Sequence, residues 1–232
     1  MGVLYDSSGF YEKAMIFHED ALDIYLRLLG RNHVDTATTL NNMGEVYRHI
    51  GDLEKALEHY EDALDIMQTL MPDRNHRNVA ALLHNIGAVL IQQGHTTKAM
   101  NRFSKALSIQ KALLGEINLD VALTLQSMAS LFSVKKKFKR AHTFYNEVLK
   151  IRRKVLGRAH LAVAATLVEI GNFFYLNSLA DVDANYLEQA LRVFDEAKAI
   201  YKINGIRGEN EPRMQDIEEK IYNLEHGISY IP

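Results

Sequence analysis

A chain of 232 residues with 24% charged residues, no cysteine and a formal net charge of −2 excludes a disulfide framework, thiol catalysis, a cysteine zinc site and a generally basic nucleic-acid binder. No stretch of roughly 18–20 residues is unbroken in apolar character, and the opening residues lack a basic region followed by an apolar run. Neither membrane insertion nor a secretory signal is expected, a myristoyl group is discounted, and a reducing, cytoplasmic setting is compatible with the missing cysteines.

The first residues read as the end of a helix, because Gly2 lies 42 residues before Gly44 and Tyr5 lies 42 before Tyr47. The start is therefore either a degenerate first repeat or the edge of a piece cut from a longer array. Residues 10–28 form a helix that Gly30 stops. Val34–Ile50 and Asp52–Leu70 make the first complete pair, with Asp52 placed to cap the second helix. Both carry apolar residues at i, i+3, i+4 and i+7, on Leu40, Met43, Gly44 and Tyr47 in one and Leu53, Ala56, Leu57, Tyr60, Ala63 and Leu64 in the other. Met71-Pro72 marks a stop. Val79–Gln93 with Thr96–Leu113, and Leu119–Val134 with Phe138–Val155, make two more pairs. Leu161–Leu176 with Asp183–Ile203 makes a fourth, carrying seven extra residues near 177–185. A last helix, Pro212–Leu224, has Met214, Ile217, Ile221 and Leu224 on one face and charge on the other, and reads as a cap. Residues 227–232 form a short apolar tail.

Self-comparison shows why these pairs recur. A small residue returns at Ala14, Ala56, Ala99, Ala141 and Ala190, followed by a ring at Phe17 or His18, then Tyr60, Phe103, Tyr145 and Phe194. Gly44, Gly87, Ala129 and Gly171 align in the first helices, and His33, His76 and His160 align between repeats as loop-packing residues. The small–aromatic–small pattern resembles the tetratricopeptide repeat. The longer period, with L-G-x-x-H between repeats and T-L-N-N within them, is similar to the kinesin-light-chain subclass. The resemblance implies an all-α, right-handed superhelical solenoid of antiparallel helix pairs over residues 1–232: a partial repeat (1–30), repeats at 34–71, 78–114, 119–156 and 161–204, a capping helix (212–226) and the tail.

The first helices of such a solenoid line its inner surface, and two candidate surfaces follow. The stripe left beside the core runs through Thr38, Asn41, Glu45 and Arg48; Ala81, His84, Ala88 and Ile91; Leu123, Gln126, Ser130 and Ser133; and Ala165, Val168, Asn172 and Tyr175. Asparagine amides there can both donate to and accept from an extended peptide. The resemblance implies that Asn41, Asn42, His84 and Asn85 hold a ligand peptide, while Gln126-Ser127 and Val168-Glu169 depart from the motif. Arg48 is the stripe's full cation, too few for an acidic-tailed peptide. The second candidate is a basic band. Residues 135–160 carry a net +9 between segments of −5 and −6, through Lys135, Lys136, Lys137, Lys139, Arg140, Lys150, Arg152, Arg153, Lys154 and Arg158. Three lysines replace the glycine turn there, and an acidic protein surface is the expected contact.

No phosphate loop, nucleophile elbow or H-E-x-x-H zinc motif is present. Paired carboxylates such as Glu61-Asp62 read as solvated. The chain is thus expected to be a non-catalytic protein–protein interaction scaffold or adaptor without cofactor. It would take a peptide or helix of another protein in its groove and use the basic band as a second contact. The alternatives are a structural subunit of a large, microtubule- or filament-associated assembly and a kinesin-light-chain-like cargo adaptor.

Overall fold

Four imidazole or amide side chains set where first helices begin. His33 Nδ1 accepts from Asp35 N (3.2 Å), His76 Nδ1 from Asn78 N (3.2 Å), Asn118 Oδ1 from Asp120 N (2.8 Å) and His160 Nδ1 from Ala162 N (3.0 Å). Each satisfies a helix-start N–H that has no intrahelical partner. The inter-repeat histidines, expected to pack in loops, therefore cap helices. Asp52 caps its helix as expected, its Oδ1 accepting from Lys55 N at 3.1 Å.

The computed structural model describes residues 1–71, 76–180, 184–206 and 211–226, with the side chains of 179, 180 and 184 left out. Pro72, the centre of the extra segment (181–183) and the tail lie outside the described residues. Among the described residues there are eleven helices and no strand. They are α1 (Gly2–Ser7), α2 (Tyr11–Leu28), α3 (Val34–Ile50), α4 (Leu53–Leu70), α5 (Arg77–Gln92), α6 (Thr96–Leu114), α7 (Leu119–Val134), α8 (Phe138–Leu156), α9 (Leu161–Ala180), α10 (Ala184–Ile203) and α11 (Pro212–Glu225). The chain divides into two compact units, Met1–Glu116 and Ile117–Pro232.

In the first unit α1 packs on α2, α3 on α4 and α5 on α6, each pair joined by a tight turn. The glycines of the first helices press directly on the rings of the second. A Cβ built on Gly44 would lie 2.8 Å from Tyr60 Cε1, and one on Gly87 2.7 Å from Phe103 Cε1. A Cβ on Gly2 would lie 2.7 Å from His18 Cε1, so His18, 6% exposed, is the ring of the partial repeat, and Phe17, 40% exposed, faces outward. Burial lowers the His18 pKa, and its Nε2 has no hydrogen-bond partner. Glu61 and Asp62 are not merely solvated: Asp62 pairs with Arg31 at 3.1 Å and Glu61 with Arg102 at 3.7 Å.

In the second unit α7 packs on α8 and α9 on α10, with α11 against α10 and α9. Gly171 repeats the close approach, its Cβ position 2.5 Å from Phe194 Cε1. α9 has 20 residues against 16 in α7, so part of the extra segment lengthens a helix. By length and composition α9 is apolar enough to cross a membrane, with mean hydropathy 1.2 over Leu161–Ser178, but half of that window is buried. Its apolarity has a packing cause: Val163, Ala164, Leu167, Ile170, Phe173 and Phe174 all sit in the core beneath α8, α10 and α11. A helix apolar around most of its circumference is a core helix when neighbours cover it. The turn into α8 is strained. Lys136 has φ +54°, where the equivalent turns have Gly51 (φ +92°) and Gly94 (φ +80°). A lysine there costs roughly 1–2 kcal/mol relative to ordinary backbone.

Candidate functional site

The inner stripe of the first unit is an amide ladder beside an ion-pair network. Asn85 Nδ2 donates to Asn41 Oδ1 at 3.0 Å, and Asn41 Nδ2 to Asn42 Oδ1 at 3.4 Å, so α3 and α5 are linked through side chains of the stripe. Asn41, Asn42 and Asn85 line a cavity of about 300 Å3 together with Glu45 and Asp6. Thr38 and Ala81 border a smaller one of about 90 Å3, and the Thr38 hydroxyl donates back to Val34 O. His84 packs its ring on Phe103 (5.3 Å between centroids), and Ile91 is half-buried at the far end of α5.

Arg48 is not a free cation. It forks onto the Glu45 carboxylate, which also accepts from Tyr60 Oη at 2.5 Å. His49 joins Arg48 to Asp6, with Nδ1 2.9 Å from Asp6 Oδ1. Burial pushes the Glu45 carboxyl up, but the hydrogen bonds from Arg48 and Tyr60 outweigh it and hold its pKa below the ordinary range. The charge that a sequence reading offers to a ligand is therefore spent inside the unit.

The stripe of the second unit differs from expectation at several positions. Gln126 is held by Arg152 Nη2, and the same guanidinium donates to Ala162 O (3.2 Å) and Thr166 Oγ1 (2.7 Å). Arg152 thus ties α7, α8 and α9 together, half-buried, and does not stand in a surface band; burial lowers its pKa. Ser130 Oγ is 3.1 Å from Tyr145 Oη, while Leu123 is 50% exposed. Tyr175, expected on the open stripe, is 6% exposed and belongs to the core cluster.

Asn172 and Tyr175 instead line a cavity of about 480 Å3, walled by α9 and α11. Sequence reasoning missed its charged wall: Glu169 on α9, and Asp216, Glu219 and Lys220 on α11. The signal was present as a polar stripe at i, i+3, i+4 and i+7 through Asn223, beside the buried stripe of Met214, Ile217 and Leu224. That stripe is the solvated face of α11, with Asp216 and Glu219 exposed, and nothing in α11 alone says that Glu169 stands opposite it. Glu169 Oε2 accepts from Tyr145 Oη at 3.5 Å, and crowding by protein raises its pKa against the weaker opposing pull of that hydrogen bond and of Lys220.

The basic band breaks up by environment. Arg153 pairs with Glu196 on α10. Lys135, Lys136, Lys137, Lys139 and Arg140 stay exposed around the strained turn, with Arg140 5.6 Å over the Phe132 ring, and Lys154 is exposed further along α8. Among the described residues no group of three or more His, Asp or Glu is arranged to hold a metal ion.

No curated protein sequence matches the chain. Among solved structures it is similar to BtubC (BKLC) from P. vanneervenii, at 19% identity and TM-score 0.63, over 96% of this chain and 94% of that one. It is also similar to a kinesin-light-chain-like protein of Podosopora anserina with nearly identical TPR-like repeats, at 17% identity and TM-score 0.69, over 88% and 92%. A third likeness is to MamA, at 14% identity and TM-score 0.57, over 89% and 98%. At such identities the likeness is one of fold. Two family models described as tetratricopeptide repeat match the sequence itself, one over residues 1–69 and the other over 79–120 and 121–162. Together these matches cover most of the described helix pairs, and the chain belongs to the tetratricopeptide repeat family, whose members are generally non-catalytic protein-interaction scaffolds.

Proposed function

We propose that the chain is an adaptor that holds an extended peptide segment of another protein along the first helices of its first unit. The observation that supports this reading most is the Asn85–Asn41–Asn42 ladder beside its cavity. An amide side chain has two donors and two acceptor lone pairs. The ladder uses one donor of Asn85 and leaves Asn41 and Asn42 with further donors and acceptors, so a strand of backbone can replace water on them. With Arg48 neutralised by Glu45, this stretch selects for backbone and for uncharged side chains, not for acidic tails. The exposed lysine turn, Lys135 to Lys137, supplies a second contact for an acidic surface. Its left-handed lysine supports that role, because strain kept where glycine would relieve it points to a use for the side chain.

The test is capture of partners from cell extract by the wild type, by Asn41→Ala/Asn85→Ala, and by a triple Lys135, Lys136, Lys137→Glu variant. The amide variant is expected to lose a discrete set of partners, and the lysine reversal to lose binding that raised salt also weakens. A fixed set of partners that resists both variants would replace the adaptor reading with that of a permanent structural subunit.

A further inference from the structure

We propose that the cavity between α9 and α11 of the second unit is a receptor for an arginine side chain carried by a partner protein. The proposal rests on the peptide-binding reading for the source of the arginine, and on the cavity's own chemistry for everything else.

Three carboxylates reach this cavity, Glu169 from α9 and Asp216 and Glu219 from α11, against one cation, Lys220. Lys220 Nζ bonds Asp216 at 2.7 Å, which leaves the wall with two uncompensated negative charges. Asn172 also lines it, and its Oδ1 is buried without a hydrogen-bond partner. A buried acceptor with no donor is a cost that native structures rarely leave unmet. Three rings also line it, Phe138 and Phe173, their centroids 6.3 Å apart, and Tyr175, beside Ser133, Leu176 and Asn223. A volume of about 480 Å3 is in the range of sites that enclose a ligand group.

A guanidinium answers each of these features. It brings five N–H donors in one plane, enough for two carboxylates and the Asn172 oxygen. It stacks on aromatic faces and is more weakly hydrated than an ammonium, so entry into a partly apolar site costs it less. An anionic group would be repelled, and an apolar one would leave the carboxylates desolvated with no return.

The probe is the capped tripeptide acetyl-Leu-Arg-Leu-amide, titrated into the full 232-residue chain and followed by backbone amide resonances. Its control carries citrulline in place of arginine, which keeps the shape and removes the charge. The expected result is saturable shifts on α9 and α11 with the arginine peptide and binding weaker by about tenfold or more with citrulline. Asp216→Asn and Glu219→Gln, whose folding is checked by circular dichroism, should each weaken the arginine peptide and leave the citrulline peptide unchanged. Equal affinity for the two peptides, shifts confined to other helices, or no shifts at millimolar peptide each overturn the proposal. Asn41→Ala/Asn85→Ala should bind the tripeptide like the wild type. If that variant loses its cellular partners while the tripeptide fails to bind, the arginine receptor falls and the groove reading stands. If the tripeptide binds and the amide variant keeps every partner, only the groove reading falls.

Discussion

Glu45 in the first unit and Glu169 in the second each accept a tyrosine hydroxyl, yet their carboxyl groups are driven in opposite directions. Around Glu45, Arg48 supplies a forked pair and Tyr60 a short hydrogen bond, so the carboxylate stays ionised to lower pH than usual. Around Glu169, an exposed residue, the hydrogen bond is longer, 3.5 Å, and partial desolvation of the carboxyl outweighs it. The same pair of residue types thus makes a closed structural network in one unit and an open, charge-hungry wall in the other. A carboxylate beside a tyrosine says little until its cation is found.

The largest expected effect breaks the packing that the two units share. Gly44→Leu and Gly171→Leu would each drive a side chain into a ring already within contact distance, Tyr60 and Phe194 respectively. Overpacking of this kind costs about 1–3 kcal/mol, read as a lower urea midpoint for the unit concerned. An unchanged midpoint would mean that the glycine–ring approach is not what closes the pairs.

The next effect separates the carboxylates. Glu45→Gln should destabilise by about 1–2 kcal/mol at neutral pH, since it removes a charge-assisted pair of which both members are less than one-third exposed. That stability is present above the ordinary value of 4.5 and is lost as pH falls through the lowered folded-state value. Glu169→Gln should do the reverse. A raised folded-state pKa gives stability that is present below 4.5 and is lost as pH rises through the folded value. The glutamine variant should therefore melt slightly higher than wild type at pH 7 and no higher at pH 4. Thermal scans at both pH values check the pair; the same sign for both variants would erase the contrast.

The smallest effect concerns the turn that only the second unit builds from lysine. Lys136→Gly should relieve the left-handed strain and raise stability by about 0.5–1 kcal/mol, after the entropy that glycine adds to the unfolded chain is subtracted. A loss of stability would show that the lysine side chain makes contacts worth more than its strain.

The fold was legible because its signals are local and repeated. A small residue, a ring and an apolar stripe at helical spacing recur in each pair, and chance does not keep them in register. The Asp52 cap and the glycine turns follow from the same local chemistry. The candidate sites were less legible for a physical reason. Sequence spacing places Arg48, Gln126, Arg152 and Tyr175 on faces, but what each face meets depends on side chains 3 to 26 residues away, such as Glu45 and Tyr60 for Arg48 and Arg152 for Gln126. Asp216 and Glu219 read as solvent-facing and are exposed, but their helix alone contains no trace of Glu169 across the cavity. The choice between Phe17 and His18 is similar, since either ring satisfies the pattern and only the approach of Gly2 decides.

The spacing from first-helix glycine to second-helix ring is 16 residues in three pairs, Gly2 to His18, Gly44 to Tyr60 and Gly87 to Phe103, and 23 from Gly171 to Phe194, and all four end in the same contact. The seven extra residues are divided between the two helices, about four at the end of α9 and three before the ring in α10, and each share is close to one turn of 3.6 residues, so both helices keep their phase. A pair in such an array can thereby grow by about one turn in each helix while the core beneath it keeps its register. The rim residue Leu176 is the sixteenth of α9 and stands level with the last residue of α7, so the added length of α9 begins immediately beyond the cavity rim.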